Sequence, residues 1–307
     1  MARIFNFDDA SDRSILAGSV VAFGVFDGFH VGHRALVDAA RDEARALGAR
    51  CVVLTFSIDP DELFHADSLR KLTTNEARIG LLAQSGADAV CVLPFTREFA
   101  RQSPAAFLEW TFRDAFPRSI HVGAGFRFGA KAAGTEDDLR AWGSARGTEV
   151  RVHELRCALG APVSATRIRG LLAEGDVKEA NELLGRPFAV SGTVVSGRGE
   201  GAQMGIRTAN LDIPQNLRAL GDGVYAAWAT VDGKRYKAAV NMGVAASFAD
   251  RATATCEAHL LDFEGDIYGD AITLEFVAWL RAMRVFDDVD ELVATIQSNI
   301  SWVRENL

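Results

Sequence analysis

The sequence is poor in cysteine and has no long run of apolar residues. Four cysteines are scattered over 307 residues without a C-x-x-C pair, which argues against both a disulfide framework and a zinc knuckle. No stretch approaches the roughly 18 apolar residues that a membrane-spanning helix needs. The N-terminus carries early acidic residues and no apolar segment of the signal-peptide type. These absences predict a cytoplasmic protein without a membrane partner.

Positive charge is also scarce, because 33 Lys and Arg stand against 41 Asp and Glu, which gives a formal net charge of -8. Nucleic acids and anionic membranes are bound through an excess of Lys and Arg that releases counterions. We therefore expect no nucleic-acid partner, and any anionic ligand has to be met by local groups. The apolar fraction of 49% is ordinary for a globular chain, and the length allows two domains.

The first half alternates apolar runs with helical patterns. Short β-branched runs are typical of buried parallel strands, and capping residues mark helix starts. Strands are predicted at 19–26, 50–56, 88–95, 120–122 and 150–155. A helix is predicted over 34–47, and further helices are predicted to start at a capping box of Thr73 and Glu76 and at Ser103, Thr135, Ser164 and Asp176. This alternation predicts a doubly wound, Rossmann-like α/β domain over residues 1–185.

The pattern changes after Gly185, where strands are joined by hairpin turns such as Asp232-Gly233. Strands are predicted at 189–196, 223–231, 235–241, 254–263 and 271–280. The residues from 287 to 306 have apolar positions at helical spacing after an acidic first turn. We therefore expect a second domain over 186–307, a small antiparallel β-barrel with a terminal helix.

The motif FDGFHVGH, residues 26–33, follows the first of these strands and opens the next helix. Open α/β sheets bind ligands at that position, where helix N–H groups attract phosphate. Gly28 and Gly32 allow close backbone approach, and His30 and His33 can share one face of the first turn. Taken alone, the two histidines have two other interpretations. They could cap or pack the helix, or they could bind zinc, although no third ligand is evident nearby.

FDGFHVGH resembles the H-x-G-H signature of the nucleotidyltransferase superfamily, in the form carried by bacterial bifunctional riboflavin kinase/FMN adenylyltransferases. VSATRIR, residues 163–169, is similar to the second signature, I-S-S-T-x-x-R. The segments 71–95 and 121–134 resemble the central region of that family. The resemblance implies that FMN attacks the α-phosphorus of ATP with release of pyrophosphate, while basic groups steady the phosphates.

The resemblance also assigns roles to residues of the first half. It implies that His30, His33 and Arg169 are catalytic. The residues implied to bind ATP or its phosphates are Gly24, Phe26, Asp27, Gly28, Gly32, Ser164, Thr166 and Arg167. Gly125, Phe126 and Phe128 are implied to contact the flavin.

Residues 185–214 resemble the opening sequence of riboflavin kinases, which leads to G-F-P-T-A-N. The resemblance implies a kinase site at Gly205, Thr208 and Asn210, with Mg²⁺ on Thr208 and Asn210, and Glu257 as general base for the riboflavin 5′-hydroxyl. A hydroxyl and an amide two residues apart on an extended segment point the same way and can hold Mg²⁺ with ATP. Without the resemblance, these residues could equally form a turn, and Glu257 with His259 could be a surface pair.

The sequence departs from the family pattern at five places. Gly125 replaces Asn or Asp, and Asp59-Pro60 replaces His-Pro. Arg207 replaces Pro, Ala202 replaces a basic residue, and residues 244–248 replace Arg-Pro-Thr-Phe. Proline fixes φ, so Arg207 bears on the placement of Thr208.

The leading hypothesis is a Mg²⁺-dependent bifunctional enzyme that converts riboflavin to FMN and FMN to FAD with ATP, compatible with a weak homo-oligomer. Three alternatives stay open at this point. They are an FMN adenylyltransferase with a degenerate flavin-binding barrel, a non-catalytic flavin or nucleotide sensor, and a non-flavin nucleotidyltransferase.

Overall fold

The structure is a computed structural model that describes residues 1–65, 68–197, 206–217, 219–243, 255–286 and 288–307. Two compact units account for its contacts. The first comprises Met1–Leu69 and Thr73–Ala165, and the second comprises Arg70–Leu72 and Thr166–Leu307. Ala202, Gly205 and residues 244–248 lie outside the described ranges.

The first unit is built on a six-stranded parallel sheet. Its strands are β1 (Arg3–Asn6), β2 (Val20–Phe23), β3 (Cys51–Phe56), β4 (Ala89–Leu93), β5 (Ser119–Gly123) and β6 (Glu149–His153), in the order β1-β4-β3-β2-β5-β6. The helices of this unit are α1 (Val31–Ala46), α2 (Pro60–Phe64), α3 (Asn75–Ala83), α4 (Pro104–Phe112) and α5 (Glu136–Ser144). A short hairpin, β7 (Cys157–Ala158) and β8 (Ala161–Pro162), follows β6. The doubly wound architecture is confirmed.

Burial and capping explain why these segments fold as they do. Strands β2, β3 and β4 are buried along their whole length, as expected for the centre of a sheet covered on both faces. Ser103 caps α4 and Thr135 forms a capping box on α5, as predicted. The predicted cap of α3 is wrong by one residue, because the hydroxyl of Thr74, and not that of Thr73, accepts from the N–H of Ala77. Thr73 is used in the loop described below.

The second unit contains two short helices and a closed barrel. The helices are α6 (Ala165–Ala173), whose first residue belongs to the first unit, and α7 (Val177–Leu184), which Asp176 caps and Gly185 ends. The barrel strands are β9 (Phe188–Val195), β10 (Ala209–Asp212), β11 (Gly223–Val231), β12 (Lys234–Gly243), β13 (Thr255–Leu260) and β14 (Ala271–Arg281), in the order β10-β13-β12-β11-β14-β9. Helix α8 (Val289–Asn306) follows. The antiparallel barrel and terminal helix are confirmed.

The barrel core follows from strict alternation along its strands. Every second residue of β9, beginning with Phe188, is buried, and the residues between are exposed. The hairpin between β11 and β12 is closed by Asp232 at φ 45° and Gly233 at φ 76°. Two consecutive positive φ angles are the requirement of a two-residue type I′ turn, which is why Asp-Gly predicted it.

Candidate active sites

The first unit has a cavity of about 290 Å³ at the carboxyl ends of β2 and β5 and the start of α1. Open α/β sheets bind ligands at this edge. Residues from both predicted signatures line it, because His30 and His33 of the first meet Ser164 of the second. Gly24, Phe26, Gly32, Gly125 and Phe126 line it as well. Asp27, Gly28 and Phe128 are buried and do not line it.

The loop that enters α1 is strained and is braced from a distant segment. Phe26, Gly28 and Phe29 have φ angles of 64°, 70° and 35°, and such non-glycine conformations cost about 1–3 kcal/mol each. The Asp27 carboxylate accepts from the backbone N–H and the hydroxyl of Thr73, both at 3.3 Å, and the Thr73 hydroxyl accepts from the N–H of Gly28 at 3.3 Å. Asp27 and Thr73 thus hold the loop in the shape that presents His30.

The two histidines of the motif pack on each other at the start of α1. His30 is the N-cap, and its Nδ1 accepts from the N–H of His33 at 3.2 Å. The rings stack with centroids 3.6 Å apart. Burial, together with His30, holds the pKa of His33 well below its ordinary value. The pair therefore caps the helix and lines the cavity at the same time, and His33 is held as a neutral imidazole.

Metal binding by this pair is not supported in the described part of the chain. No group of three or more His, Cys, Asp or Glu there is arranged to hold a metal ion. Gly32 leaves room for the His30 ring, because a Cβ at position 32 would lie 3.1 Å from ring atoms of His30.

The part of the cavity wall that follows β5 is formed by a glycine, Gly125, and an aromatic residue, Phe126. Gly125 has a φ of 81°, its N–H donates to the Glu136 carboxylate, and a Cβ added to it would meet no atom within 4 Å. The ring of Phe126 lies 5.0 Å from that of Phe23, centroid to centroid. Phe128 lies in the core, where it packs against Phe126 and Phe107 at centroid distances of 5.9 and 5.7 Å. It supports Phe126 from within.

The second signature continues into α6 directly after Ser164. Thr166 is exposed, and Arg167 and Arg169 are half-buried. The buried member of this turn is Ile168, so the arginines alternate with the residue that anchors the helix.

The barrel has its own cavity, of about 600 Å³, lined by Gly197, Arg207, Thr208, Asn210 and His259 among others. Gly197 lies directly against Asn210, because a Cβ at position 197 would lie 2.0 Å from Nδ2 of Asn210 and would force that amide to move. Glu257 does not line the cavity. It is the direct cross-strand partner of Asn210, and side chains of such partners lie on the same face about 5 Å apart.

Arg207 occupies the position at which a proline was expected, and a neighbouring strand constrains its backbone. Nδ1 of His259 donates to the carbonyl of Arg207 at 2.7 Å. The hydrogen bond holds the residue immediately before Thr208, which is the segment that a proline would stiffen. His259 is thus more than the surface neighbour of Glu257.

Comparison with known proteins assigns both units. Residues 12–167 match the family model described as FAD synthetase, and residues 184–307 match that described as riboflavin kinase. A protein of Listeria monocytogenes named bifunctional riboflavin kinase/FMN adenylyltransferase is 31% identical over 91% of this chain and 90% of its own.

The chain belongs to the bifunctional riboflavin kinase/FMN adenylyltransferase family. A member from Escherichia coli strain K12 is 33% identical over 94% of this chain and 92% of its own. A solved structure described as a macrolide-efflux protein from Streptococcus pneumoniae matches 99% of both chains with a TM-score of 0.85 and 29% identity. The fold is shared along the whole chain. In the described residues, no helix has both the length and the apolar character to span a bilayer.

As a member of this bifunctional family, the chain is an enzyme of FAD biosynthesis that acts on flavin and ATP. The match to the riboflavin kinase model covers the barrel, so neither a purely monofunctional adenylyltransferase nor a non-catalytic sensor is favoured. The non-flavin nucleotidyltransferase is disfavoured for the same reason.

Arg78 is a structural residue of this bifunctional enzyme that the sequence did not reveal. Its side chain is fully buried. Its guanidinium donates to the carbonyl of Val25 at 2.9 Å, to the hydroxyl of Thr55 at 2.7 Å and to the carbonyl of Phe56 at 2.7 Å. The one available signal was an arginine on a predicted helix face that is otherwise apolar.

The structure also explains another departure from the family pattern, the presence of Asp59 in place of a histidine. Its carboxylate caps α2 by accepting from the N–H of Asp61 at 3.0 Å, and Glu62 completes the capping box. The acid at this position starts a helix, a role that Asp fills well.

Proposed function

We propose that the chain makes FAD from riboflavin in two ATP-dependent steps, one at each cavity. The barrel, within residues 186–307, phosphorylates the 5′-hydroxyl of riboflavin to give FMN. The α/β unit, within residues 1–185, transfers AMP from ATP to FMN and releases pyrophosphate. The observation that carries the proposal is the meeting of His30, His33 and Ser164, from two separate signatures, on one cavity.

In the adenylylation step, an oxygen of the FMN phosphate attacks the α-phosphorus of ATP as the bond to the β-phosphate oxygen breaks. Such transfers depend on positioning and on donors to the phosphate oxygens. His30, His33 and Arg169 are proposed as the catalytic donors. Neutral imidazoles suit this role, and the lowered pKa of His33 keeps it neutral.

The remaining residues of this site are proposed to bind and shape. Those for ATP and its phosphates are Gly24, Phe26, Asp27, Gly28, Gly32, Ser164, Thr166 and Arg167. Those for the flavin are Gly125, Phe126 and Phe128. Asp27, Gly28, Phe128, Thr166 and Arg167 are not among the residues that line the cavity. Of these, Asp27, Gly28 and Phe128 are proposed to act through the residues that they support.

In the kinase step, Glu257 is proposed to take the proton of the riboflavin 5′-hydroxyl while that oxygen attacks the γ-phosphorus of ATP. Thr208 and Asn210, with Gly205, are proposed to hold the nucleotide and Mg²⁺. Both side chains offer oxygen donors of the kind that Mg²⁺ prefers, and neither makes a hydrogen bond within the described residues. Mg²⁺ when bound neutralises charge on the phosphate oxygens.

The proposal extends to the setting in which the enzyme acts. A net charge of -8 supports small anionic substrates met by local groups rather than nucleic acid or anionic membranes. We propose a cytoplasmic enzyme whose self-association, where present, is weak.

The test is a chromatographic product assay of the full chain with ATP and Mg²⁺, with riboflavin in one reaction and FMN in another. FAD in both reactions is expected, with FMN as an intermediate in the first, and EDTA should stop both. FAD from FMN alone would contradict the kinase assignment. FMN that accumulates without FAD would contradict the adenylyltransferase assignment.

A further inference from the structure

A relay of polar side chains runs from α1 through the sheet to the wall of the α/β cavity. Nε2 of His121 lies 2.9 Å from a carboxylate oxygen of Glu43, and Nδ1 of His121 lies 2.9 Å from Nε2 of His153. His121, on β5, is 2% exposed, whereas His153, at the end of β6, lines the cavity. The mechanism above uses none of these three residues.

Glu43 anchors the relay. Its carboxylate also accepts from the hydroxyl of Ser119 at 2.7 Å and from Nε of Arg151 at 2.8 Å. An ionised carboxylate can only accept, so Nε2 of His121 carries a proton. Neutral His121 then accepts at Nδ1, and Nε2 of His153 has to donate to it.

The same reasoning fixes the protonation state of Nδ1 of His153, the ring nitrogen that does not bond to His121. With its proton on Nε2, neutral His153 has a bare Nδ1 that can only accept. Burial lowers the pKa of His121 and of His153, and Arg151 also lowers that of His153, while Glu43 opposes both shifts. Both rings are thus biased towards the neutral form that the relay requires.

The part of the cavity wall that lies beside His153 at the end of β5 has no polar side chain, whereas Glu154 and Arg156, which follow His153 in the chain, also line the cavity. Gly123 is the strand partner of His153, the N–H of Ala124 donates to the His153 carbonyl at 2.8 Å, and Gly125 follows. None of these three has a polar side chain. Among the residues that end β5 and β6 at the cavity, His153 therefore offers a side-chain acceptor that the glycine at 125 cannot.

We propose that His153 is a specificity-determining residue that accepts, at Nδ1, a hydrogen bond from an N–H or O–H of FMN. Glu43 and His121 are positioning residues that select the Nε2–H tautomer of His153. The inference rests on the proposed function, which puts the flavin against Gly125 and Phe126. ATP also has N–H and O–H groups, and the experiments separate the two substrates.

The first experiment compares His153→Phe with His153→Asn in the full chain. Phenylalanine fills the space without an acceptor, whereas the Asn amide oxygen can stand near the Nδ1 position. We expect the KM for FMN to rise about tenfold in His153→Phe, as for one lost hydrogen bond, with the KM for ATP unchanged, and to recover largely in His153→Asn. A rise in the KM for ATP alone, or no change in either, would overturn the proposal.

The second experiment reads the tautomers directly by ¹⁵N NMR of histidine-labelled protein. Both His121 and His153 should be protonated at Nε2, and FMN should shift the Nδ1 signal of His153. Glu43→Leu should abolish the tautomer preference and raise the KM for FMN, whereas Glu43→Gln, which keeps an acceptor oxygen, should preserve both. Riboflavin phosphorylation by the barrel should be unchanged in every variant.

These readouts separate the two claims. If the wild-type chain forms FAD while His153 is protonated at Nδ1, or while its signal ignores FMN, the relay inference is wrong and the proposed function stands. If the wild-type chain forms no FAD, the proposed function itself is wrong, and the inference that rests on it is overturned too.

Discussion

Both cavities are proposed to bind ATP and a flavin, but their side chains are held in place by different structural features. In the α/β unit, the key side chains hold one another: the buried His30 caps its own helix and stacks on the half-buried His33. On the barrel, Thr208, Asn210 and Glu257 are only half-buried, and their proximity comes from strand register. The first site depends on local strain and internal bracing, whereas the second depends on pairing between β10 and β13.

The comparison teaches that the two sites should fail in different ways. A buried, braced site loses stability when a brace is removed, because the polar groups that remain are unsatisfied. A site on a strand face keeps its fold and loses ligand contacts instead. The two units therefore act as internal controls for each other.

The largest expected effects come from one substitution at each of the two sites. His30→Asn keeps an N-cap side chain but removes the imidazole, and we expect FAD formation to fall about 10²- to 10³-fold while FMN formation from riboflavin persists. Glu257→Gln should do the reverse. Chromatographic rates of both products measure this.

The exposed His65 provides the matched control, because His65→Asn should leave both rates unchanged. A folded variant at either site that abolished both activities would show that the two reactions share one site.

Gly197→Ala should impair the kinase with little effect on stability. The added Cβ would lie 2.0 Å from Nδ2 of Asn210, so the amide has to move. We expect kcat/KM for ATP in FMN formation to fall about tenfold, the equivalent of one lost polar contact, while FAD formation from FMN is unchanged. Gly80→Ala, on α3 with open space around it, is the control. Unaltered kinase kinetics would argue against a role for Asn210.

Arg78→Met should affect stability in the α/β unit alone. It removes donors to Val25, Thr55 and Phe56 and leaves buried oxygens unsatisfied, for which we expect a loss of about 2–4 kcal/mol in the free energy of unfolding. Differential scanning calorimetry should show a lower unfolding temperature for the α/β unit and an unchanged unfolding temperature for the barrel. Arg45→Met, at an exposed position on α1, should change neither. Equal shifts of both transitions would contradict independent bracing.

The smallest expected effect is on the pH dependence of stability. The pKa of His33 is lowered on folding, so the unfolded chain binds a proton more readily as the pH falls through about 6.5. Stability of the α/β unit should therefore fall between pH 7.5 and 5.5 by about 1 kcal/mol for this group. Thermal unfolding at both pH values measures it, and His33→Asn should show a smaller fall. An equal fall in the variant would assign the effect to other groups.

Local signals in the sequence were sufficient for most of the architecture. Residues 223–231 fold as the predicted strand, and Ser103, Thr135 and Asp176 cap helices as predicted, because propensity and capping are decided by neighbours in sequence. The outermost strand β1 was missed, since its residues are largely exposed and show no buried apolar run.

The side chains whose roles the sequence did not reveal were missed for a different reason, which is that their hydrogen-bond partners are distant in the sequence. Arg78 reaches acceptors 22 to 53 residues away, and the Glu43 relay joins residues 78 and 32 positions apart. Nothing in the local pattern of His121 or His153 indicates a partner, and only the order of β5 and β6 in the sheet brings them together. Thr73 belongs here as well, since its hydroxyl serves Asp27 rather than the adjacent helix.

The closed barrel has a consequence for self-association. Its described strands pair in a ring, so they present no unpaired row of backbone donors and acceptors to another molecule, whereas the open sheet ends in β1 and β6. Such edges invite strand addition and aggregation unless they are short or charged. Strand β1 has four residues and begins with Arg3, and β6 carries Glu149 and Arg151. Protection against edge-to-edge aggregation is therefore achieved by closure in one unit and by brevity and charge in the other.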